Sequence, residues 1–157
     1  MKPTLYIEIT IVSYLAAYNS RDLVMAARQQ TTRDWWEKRR KGFDLFVSRL
    51  VWQEAASGDP EAAGRRLKVL RPLRWLQMNK DDIVVAKALV TSGPVPRNAA
   101  DDALYIGLAA AHGMHFLLTW NFTHINNAAT EEEIKNVCER HGFHCPVICT
   151  PDELMEI

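Results

Sequence analysis

The residues best suited to chemistry are acidic side chains that interrupt otherwise apolar segments. Asp101 and Asp102 begin the run ADDALYIGLAAA, and Glu8 lies within LYIEI. A buried carboxylate is costly unless a partner compensates its charge. Glu54 and Asn121 have ordinary interpretations when taken alone, as a solvated helix residue and as a turn former. Taken together, these side chains offer hard oxygen donors, which favour Mg²⁺ or Mn²⁺ over zinc.

The two adjacent aspartates are expected to play different parts. Asn98 is predicted to cap the helix, so that Asp101 would be its third residue and could bond back to the cap. Negative charge in the first turn also complements the helix dipole. Successive helical residues point about 100° apart, so the two carboxylates cannot both face one point squarely. Asp102 is therefore the preferred metal ligand, and Asp101 is expected to stabilise the helix start.

The elements that must position these residues alternate between strands and helices. Short β-branched and aromatic runs predict strands at residues 5–9, 43–48, 73–78, 116–119 and 146–149, with helical segments between them. This alternation predicts an α/β domain with a mainly parallel central sheet, whose sites lie at the carboxyl ends of the strands. Glu8 and Asn121 fall at predicted strand ends, and Glu54 lies within two turns of one. The three residues are therefore predicted to share one site.

Capping patterns predict where several helices begin. Thr10 is expected to cap the first helix, and Asp59 to cap the helix that starts at Pro60. Thr130, with Glu133 three residues later, has the pattern of a capping box.

Composition limits the class of protein. The 157 residues suffice for a single domain, 1–157, with a substantial core. The 19 basic and 19 acidic residues balance, so net charge favours neither nucleic acid nor a membrane as partner. There is no apolar stretch of membrane-spanning length and no secretion signal at the start, so the cytoplasm is the expected compartment.

Two segments, 28–41 and 65–74, are locally basic. A solvated helix surface and a surface that contacts RNA phosphates are both consistent with this pattern.

The three cysteines, Cys138, Cys145 and Cys149, lie in the last fifth of the chain without CxxC spacing. Two histidines between them suggest a zinc site, but the spacing does not match the paired turns that such sites use. Buried, reduced thiols are the favoured interpretation.

Five strings, taken in order, carry a family resemblance: YIEIT, VWQEAASGDPEAA, AADDALYIGLAAAHG, LLTWN and PVICTPDEL. Over nearly its whole length the chain resembles the PIN-domain family, and especially the VapC-like toxins of bacterial and archaeal toxin–antitoxin pairs. The resemblance implies a three-layer α/β/α fold and a Mg²⁺- or Mn²⁺-dependent ribonuclease that acts on RNA. It also implies a cognate antitoxin as protein partner, and a homodimer.

The family's four acidic positions fall on Glu8, Glu54, Asp102 and Asn121 of this sequence. The resemblance implies that Glu8, Glu54 and Asp102 hold the metal ion, directly or through water. Asn121 is neutral where an aspartate is usual, so it can offer a carbonyl oxygen but no negative charge.

Neighbouring residues complete the implied catalytic set and mark two further departures. Thr10, Thr119 and Asn121 would orient water or the substrate phosphate. Glu8 stands where the family more often has aspartate, and Ile9 stands where many relatives have a small hydroxyl residue.

Rival functions remain open at this point. In one, the domain keeps the scaffold but acts as a binding module without turnover. A nucleotide-binding α/β protein is disfavoured because no glycine-rich loop follows the first strand. A serine hydrolase is disfavoured because the sequence has no GxSxG motif.

Overall fold

The structure, a computed structural model, describes residues 1–156. Ile157, the last residue of the predicted domain 1–157, lies outside the described residues. Within residues 1–156 the strands are β1 (Thr4–Ile7), β2 (Asp44–Ser48), β3 (Arg74–Leu76), β4 (Phe116–Leu118) and β5 (Val147–Cys149). They form one parallel sheet in the order β3-β2-β1-β4-β5. The predicted parallel α/β sheet is confirmed.

Seven α-helices connect these strands in the described part of the chain. They are α1 (Ile9–Ala16), α2 (Leu23–Lys38), α3 (Arg49–Ala55), α4 (Pro60–Leu70), α5 (Lys80–Thr91), α6 (Ala100–Ala111) and α7 (Glu131–Arg140). Short 3₁₀ helices occupy Arg40–Gly42, Arg97–Ala99 and Pro151–Leu154. No helix among residues 1–156 is long and apolar enough to cross a membrane.

The helices form two layers, one on each face of the sheet. Helices α1 to α4 pack among themselves, and α5 packs on both α6 and α7. Leu5, Tyr6 and Ile7 of β1 point to alternate faces, yet all three are fully buried, so both faces of the sheet are covered. The three-layer α/β/α fold expected from the resemblance is confirmed.

The order of the strands reverses between β1 and β4. From β1 the chain adds β2 and then β3 on one side, and it then returns to add β4 and β5 on the other. Crossovers leave β1 and β4 in opposite directions, and a crevice opens at their carboxyl ends. The register pairs Ile7 with Leu118, so Glu8 and Thr119 follow side by side at this crevice.

The helix caps differ from the predictions at three places. Glu8 caps α1 and lies just beyond β1, so Thr10 is inside the helix and is not its cap. The cap of α6 is Ala99, which has no side-chain acceptor, because Asn98 lies within the preceding 3₁₀ helix. The Asp101 carboxylate therefore has no Asn98 cap to bond, although it still lies in the first turn of α6.

Thr130 begins α7 as predicted but does not form the capping box. Its backbone has helical angles, φ −113° and ψ −2°, and its hydroxyl donates to the Asn127 carbonyl oxygen. A capping side chain normally needs extended backbone to reach the free N–H groups. Asp59 does cap the helix that starts at Pro60, as predicted.

Candidate active site

Glu8 lies at the crevice between β1 and β4, with 1% of its surface exposed. Its Oε1 atom accepts hydrogen bonds from the Thr10 amide at 3.0 Å, from the Thr10 hydroxyl, and from the Thr119 hydroxyl at 2.8 Å. Burial raises the pKa of Glu8 to about 7, although the hydrogen bonds from Thr10 and Thr119 oppose this shift. The charge of Glu54 raises the pKa further, which places that carboxylate within electrostatic reach of Glu8.

The two threonines join the start of α1 to the end of β4. The Thr10 hydroxyl accepts the Trp120 amide N–H at 2.9 Å, and the Thr119 hydroxyl accepts the Asn121 amide N–H at 2.9 Å. Thr10 and Thr119 therefore each bond both Glu8 and the chain that follows β4. The predicted convergence of Glu8, Thr10 and Thr119 is present in the structure.

Glu54 lies in the last turn of α3 and is partly buried. Its Oε1 atom accepts a hydrogen bond from the Tyr105 hydroxyl at 2.5 Å. Burial raises the pKa of Glu54, the Tyr105 hydrogen bond opposes this, and the charges of Asp101 and Asp102 raise it further. Glu54 thus faces the first turn of α6 across the crevice.

Tyr105 is a site residue that the sequence reasoning missed. It lies three residues after Asp102 on α6, a spacing that puts both on one face of the helix. It is buried, and a buried tyrosine hydroxyl usually has a hydrogen-bond partner. A single tyrosine in an otherwise aliphatic helix that begins with two carboxylates was the pattern that could have identified it.

Asp102 is partly buried, whereas its neighbour Asp101 is exposed. Burial raises the pKa of Asp102, while a hydrogen bond from Asn121 and the nearby His124 lower it. Asp101, Asp102 and Glu54 line an open cleft of about 350 Å³ together with the 3₁₀ helix Arg97–Ala99. Asp102 is thus the more buried of the two aspartates and is influenced by Asn121, whereas Asp101 lies at the exposed edge of the cleft.

Asn121 is held by its own turn. Its Oδ1 atom accepts the amide N–H groups of Thr123 at 3.2 Å and His124 at 3.0 Å. This side-chain oxygen of Asn121 was expected to bind an ion or to orient water or a phosphate. It already accepts two hydrogen bonds from the main chain. The side chain of Asn121 lowers the pKa of Asp102 and so favours its charged form.

The three carboxylates meet the chemical requirement for a hard divalent ion but do not form one closed ligand set. Among residues 1–156 there is no group of three or more His, Cys, Asp or Glu side chains that could hold a metal ion. No hydrogen bond within the described chain reaches the second oxygen of Glu8 or of Glu54. Mg²⁺ commonly uses one or two carboxylates and completes its shell with water and substrate phosphate. The residues suit an ion held in that open manner.

Four arginines of the basic segments are occupied by internal contacts. The side chains of Arg33, Arg40 and Arg66 donate hydrogen bonds to main-chain carbonyl oxygens. Arg65 donates to Ala16 and pairs with Glu61. These four arginines therefore have structural roles, which leaves less basic surface for the RNA contact that was one of the two interpretations of the sequence.

The cysteines are free thiols. Cys138 and Cys149 are buried, and Cys145 is partly buried. The prediction of buried, reduced thiols is confirmed for the first two.

Comparisons with known proteins support the fold. No protein-family model matches the chain, and no curated protein matches it. One matching solved structure is described as the crystal structure of VapBC2 from Rickettsia felis bound to a DNA fragment from their promoter. The match covers 94% of this chain and 98% of that chain, with 15% identity and a TM-score of 0.59. The chain therefore has a PIN-like three-layer α/β/α fold, which it shares with a chain of that structure.

Proposed function

We propose that the chain is a Mg²⁺- or Mn²⁺-dependent ribonuclease, and that it is the toxin of a toxin–antitoxin pair. The observation that carries this proposal is the position of Glu54 between the other two carboxylates: its charge raises the pKa of Glu8, and the charge of Asp102 raises the pKa of Glu54. The three carboxylates come from three distant parts of the sequence, and burial raises the pKa of each. Carboxylates that repel one another in this way favour a cation between or beside them.

Each carboxylate has a defined part in this proposal. Glu8 and Glu54 each use one oxygen for internal hydrogen bonds, so the other oxygen can bind an ion or a water molecule. Thr10 and Thr119 fix the orientation of Glu8, and the Asn121 side chain favours the charged form of Asp102. A bound divalent ion would lower the pKa of a coordinated water and neutralise charge on the transferring phosphoryl group.

The proposed partners follow from the same fold. The matching structure contains VapBC2, and the sequence resembles VapC-like toxins, so a cognate antitoxin is the expected protein partner. RNA is the proposed substrate, and a homodimer is the proposed assembly. Co-expression with the neighbouring reading frame, followed by size-exclusion chromatography, tests both the antitoxin and the dimer.

The first prediction concerns the acidic residues. Glu8→Gln and Asp102→Asn should each abolish Mn²⁺-dependent cleavage of single-stranded RNA, because each removes a negative oxygen donor while keeping the shape of the side chain. Cleavage of labelled oligoribonucleotides by purified protein measures this effect. Circular dichroism and the melting temperature establish that the variants are folded.

Asp81→Asn is the matched control for this prediction. Asp81 is an exposed carboxylate in the first turn of α5, outside the crevice, so its amide variant should cut as fast as the parent. If Glu8→Gln and Asp102→Asn cleave RNA as fast as Asp81→Asn does, the site is assigned wrongly.

A second candidate function is a PIN-like module that binds RNA or protein without cleaving. The Asn121 side chain favours this second function. It is neutral at the position of a fourth acidic ligand, and its Oδ1 atom already accepts two main-chain hydrogen bonds. Calorimetry with Mn²⁺ separates the two functions. Absence of Mn²⁺ binding, or binding without cleavage over a panel of tRNA and mRNA fragments, would support the module.

A further inference from the structure

Trp120 fixes the chain that leaves the crevice. It lies between Thr119 and Asn121, and its amide N–H donates to the Thr10 hydroxyl. Its indole Nε1–H donates to the Thr32 hydroxyl on α2 at 2.8 Å, and its ring packs edge-on against Tyr14 at 6.1 Å. Trp120 is therefore a buried support that joins α1, α2 and the end of β4.

Phe122 projects from this support toward solvent. Its side chain is 43% exposed, and its ring lies edge-on to Trp120 with 6.2 Å between the ring centroids. Phe122 directly follows Asn121, whose amide N–H donates to the Thr119 hydroxyl, which in turn donates to Glu8. An exposed aromatic ring thus lies within one residue of the candidate active site.

Arg28 completes the arrangement from α2. Its guanidinium carbon lies 5.2 Å from the centroid of Phe122 and 5.4 Å from that of Trp120. The Arg28 carbonyl oxygen accepts the hydroxyl of Thr32 at 2.6 Å, so one threonine on α2 contacts both Arg28 and Trp120. Thr32 therefore links the main chain at Arg28 to the Trp120 indole, and the Arg28 guanidinium lies beside both aromatic rings.

The charge of Arg28 has no internal partner. Within residues 1–156 its side chain makes no hydrogen bond and no ion pair, whereas Arg33, Arg40, Arg65 and Arg66 all donate to main-chain oxygens. Its guanidinium group lies over the rings of Trp120 and Phe122. Its N–H donors are available to a phosphate, and cation–π contact fixes where they lie.

We propose that Phe122 and Arg28 form a stacking platform for single-stranded RNA beside the scissile phosphate. The exposed ring of Phe122 stacks on one unpaired base, and the Arg28 guanidinium contacts the adjoining backbone phosphate. An aromatic ring next to an arginine is the common arrangement in proteins that bind single strands, because every base has a face that can stack. This proposal rests on the proposed ribonuclease function. It specifies in addition where the protein binds the RNA substrate.

The test measures RNA binding in EDTA, where no cleavage occurs. Fluorescence anisotropy with a labelled single-stranded 12-mer should show a loss of about 5- to 100-fold for Phe122→Ala, which corresponds to one lost base stack. Phe122→Trp should keep the parent affinity. Arg28→Ala should weaken binding and reduce the slope of log K against log salt by about 0.7, as expected for one phosphate contact on a single strand.

A scan of abasic positions along the 12-mer locates the stacked base. The parent should lose affinity at one position, and Phe122→Ala should be insensitive to the same abasic substitution. Tyr18→Ala is the matched control, because Tyr18 is also an exposed ring under an arginine, Arg65 at 4.0 Å, but that arginine pairs with Glu61. Tyr18 lies beyond the far end of α1 from Glu8, so its variant should bind like the parent.

The outcomes separate the platform from the ribonuclease. If Phe122→Ala and Arg28→Ala bind RNA as tightly as Tyr18→Ala while the parent still cleaves with Mn²⁺, the platform is overturned and the ribonuclease stands. If RNA binding depends on Phe122 but no protein cleaves, the platform stands and the ribonuclease fails. If the parent neither binds nor cleaves RNA, both are overturned.

Discussion

Glu8 carries its three hydrogen bonds on one carboxylate oxygen, and this asymmetry decides what the side chain can do. The Thr10 and Thr119 bonds hold Oε1 at the crevice, so Oε2 is the atom that can face an ion or a water. Glu54 has the same division, with Tyr105 on Oε1. In both residues hydroxyl donors fix the Oε1 atom, and the Oε2 atom accepts no hydrogen bond within residues 1–156.

Tyr105 should therefore act as a positioning residue for Glu54. Tyr105→Phe removes the hydroxyl that donates to Glu54, and we expect the cleavage rate to fall about 10- to 100-fold, as is typical when a residue that orients an ion-binding carboxylate is lost. The effect should appear in kcat more than in KM, because the hydroxyl orients a catalytic group and does not contact the base. Single-turnover cleavage with Mn²⁺ in excess measures it.

Tyr6→Phe is the control for Tyr105→Phe. Tyr6 is also buried, its ring centroid lies 5.7 Å from that of Tyr105, and its hydroxyl bonds Ser48 at 2.5 Å and not Glu54. Its loss should cost stability, about 1 kcal/mol for one hydrogen bond, without a comparable loss of cleavage rate. Equal loss of rate in both variants would mean that Tyr105 acts through packing alone.

Single residues also show which parts of the site the sequence can predict. Glu8 and Asn121 were predicted from strand ends, because parallel strands place their carboxyl ends at one edge of a sheet. The bonds from Thr123 and His124 to Asn121 could not be predicted, because they depend on the path of the chain after the strand. Such a turn decides whether an amide oxygen is available.

At the scale of elements, the strands were easier to predict than the helix starts. All five predicted strands are present, and their observed bounds fall within or one residue beyond the predicted ones. The predicted cap at Asn98 is wrong because this residue lies within a 3₁₀ helix. Thr130 is the N-cap residue of α7 as predicted, but its backbone is helical, so its side chain makes no capping hydrogen bond. Residue type indicates a cap only where the backbone is extended.

Gly107 sets the distance between α5 and α6. A Cβ atom at Gly107 would lie 2.4 Å from the Asp82 carbonyl oxygen and 3.2 Å from the Ala86 nitrogen, both of which are backbone atoms. Glycine inside a helix costs about 1 kcal/mol relative to alanine, so its presence in α6 requires a reason. The close approach of the two helices supplies that reason.

Gly107→Ala should therefore destabilise the protein despite its better helix propensity. We expect a net loss of about 1–3 kcal/mol in the free energy of unfolding, because backbone atoms cannot move aside as a flexible side chain can. Urea denaturation measures the loss.

Gly64→Ala in α4 is the matched control. No atom lies within 4 Å of its added Cβ, so this variant should gain about 0.5–1 kcal/mol. A gain of stability in Gly107→Ala, like that of Gly64→Ala, would show that α5 and α6 are free to separate.

At the scale of the whole molecule, the fold holds carboxyl groups whose ionisation lowers the stability of the folded state. The parallel sheet and its two helical layers place Glu54 within electrostatic reach of Glu8 and of Asp102, and each of the three carboxyl groups has a raised pKa. A raised carboxyl pKa means that the folded state favours the protonated form, so ionisation weakens the fold. A bound cation would remove this penalty, and stability therefore reports on the site without any substrate.

The pH dependence of stability tests this coupling in EDTA. The pKa of Glu8 rises from 4.5 to about 7 on folding, so its contribution is fully present below pH 4.5 and is lost as the pH rises through about 7. The shift corresponds to about 3 kcal/mol. Glu8→Gln cannot ionise, so in EDTA above pH 7 we expect it to be more stable than the parent, with the difference vanishing near pH 4.

Mn²⁺ should offset most of this difference in stability. At pH 7.5 and 100 times its dissociation constant, an ion that binds only the folded state adds about 2.7 kcal/mol to the free energy of unfolding of the parent. Glu8→Gln lacks a negative ligand and should gain much less, while Asp81→Asn should respond as the parent does. Thermal melts with and without Mn²⁺ measure both effects. Equal stabilisation of the parent and Glu8→Gln would place the ion away from Glu8, whatever the cleavage assay gives.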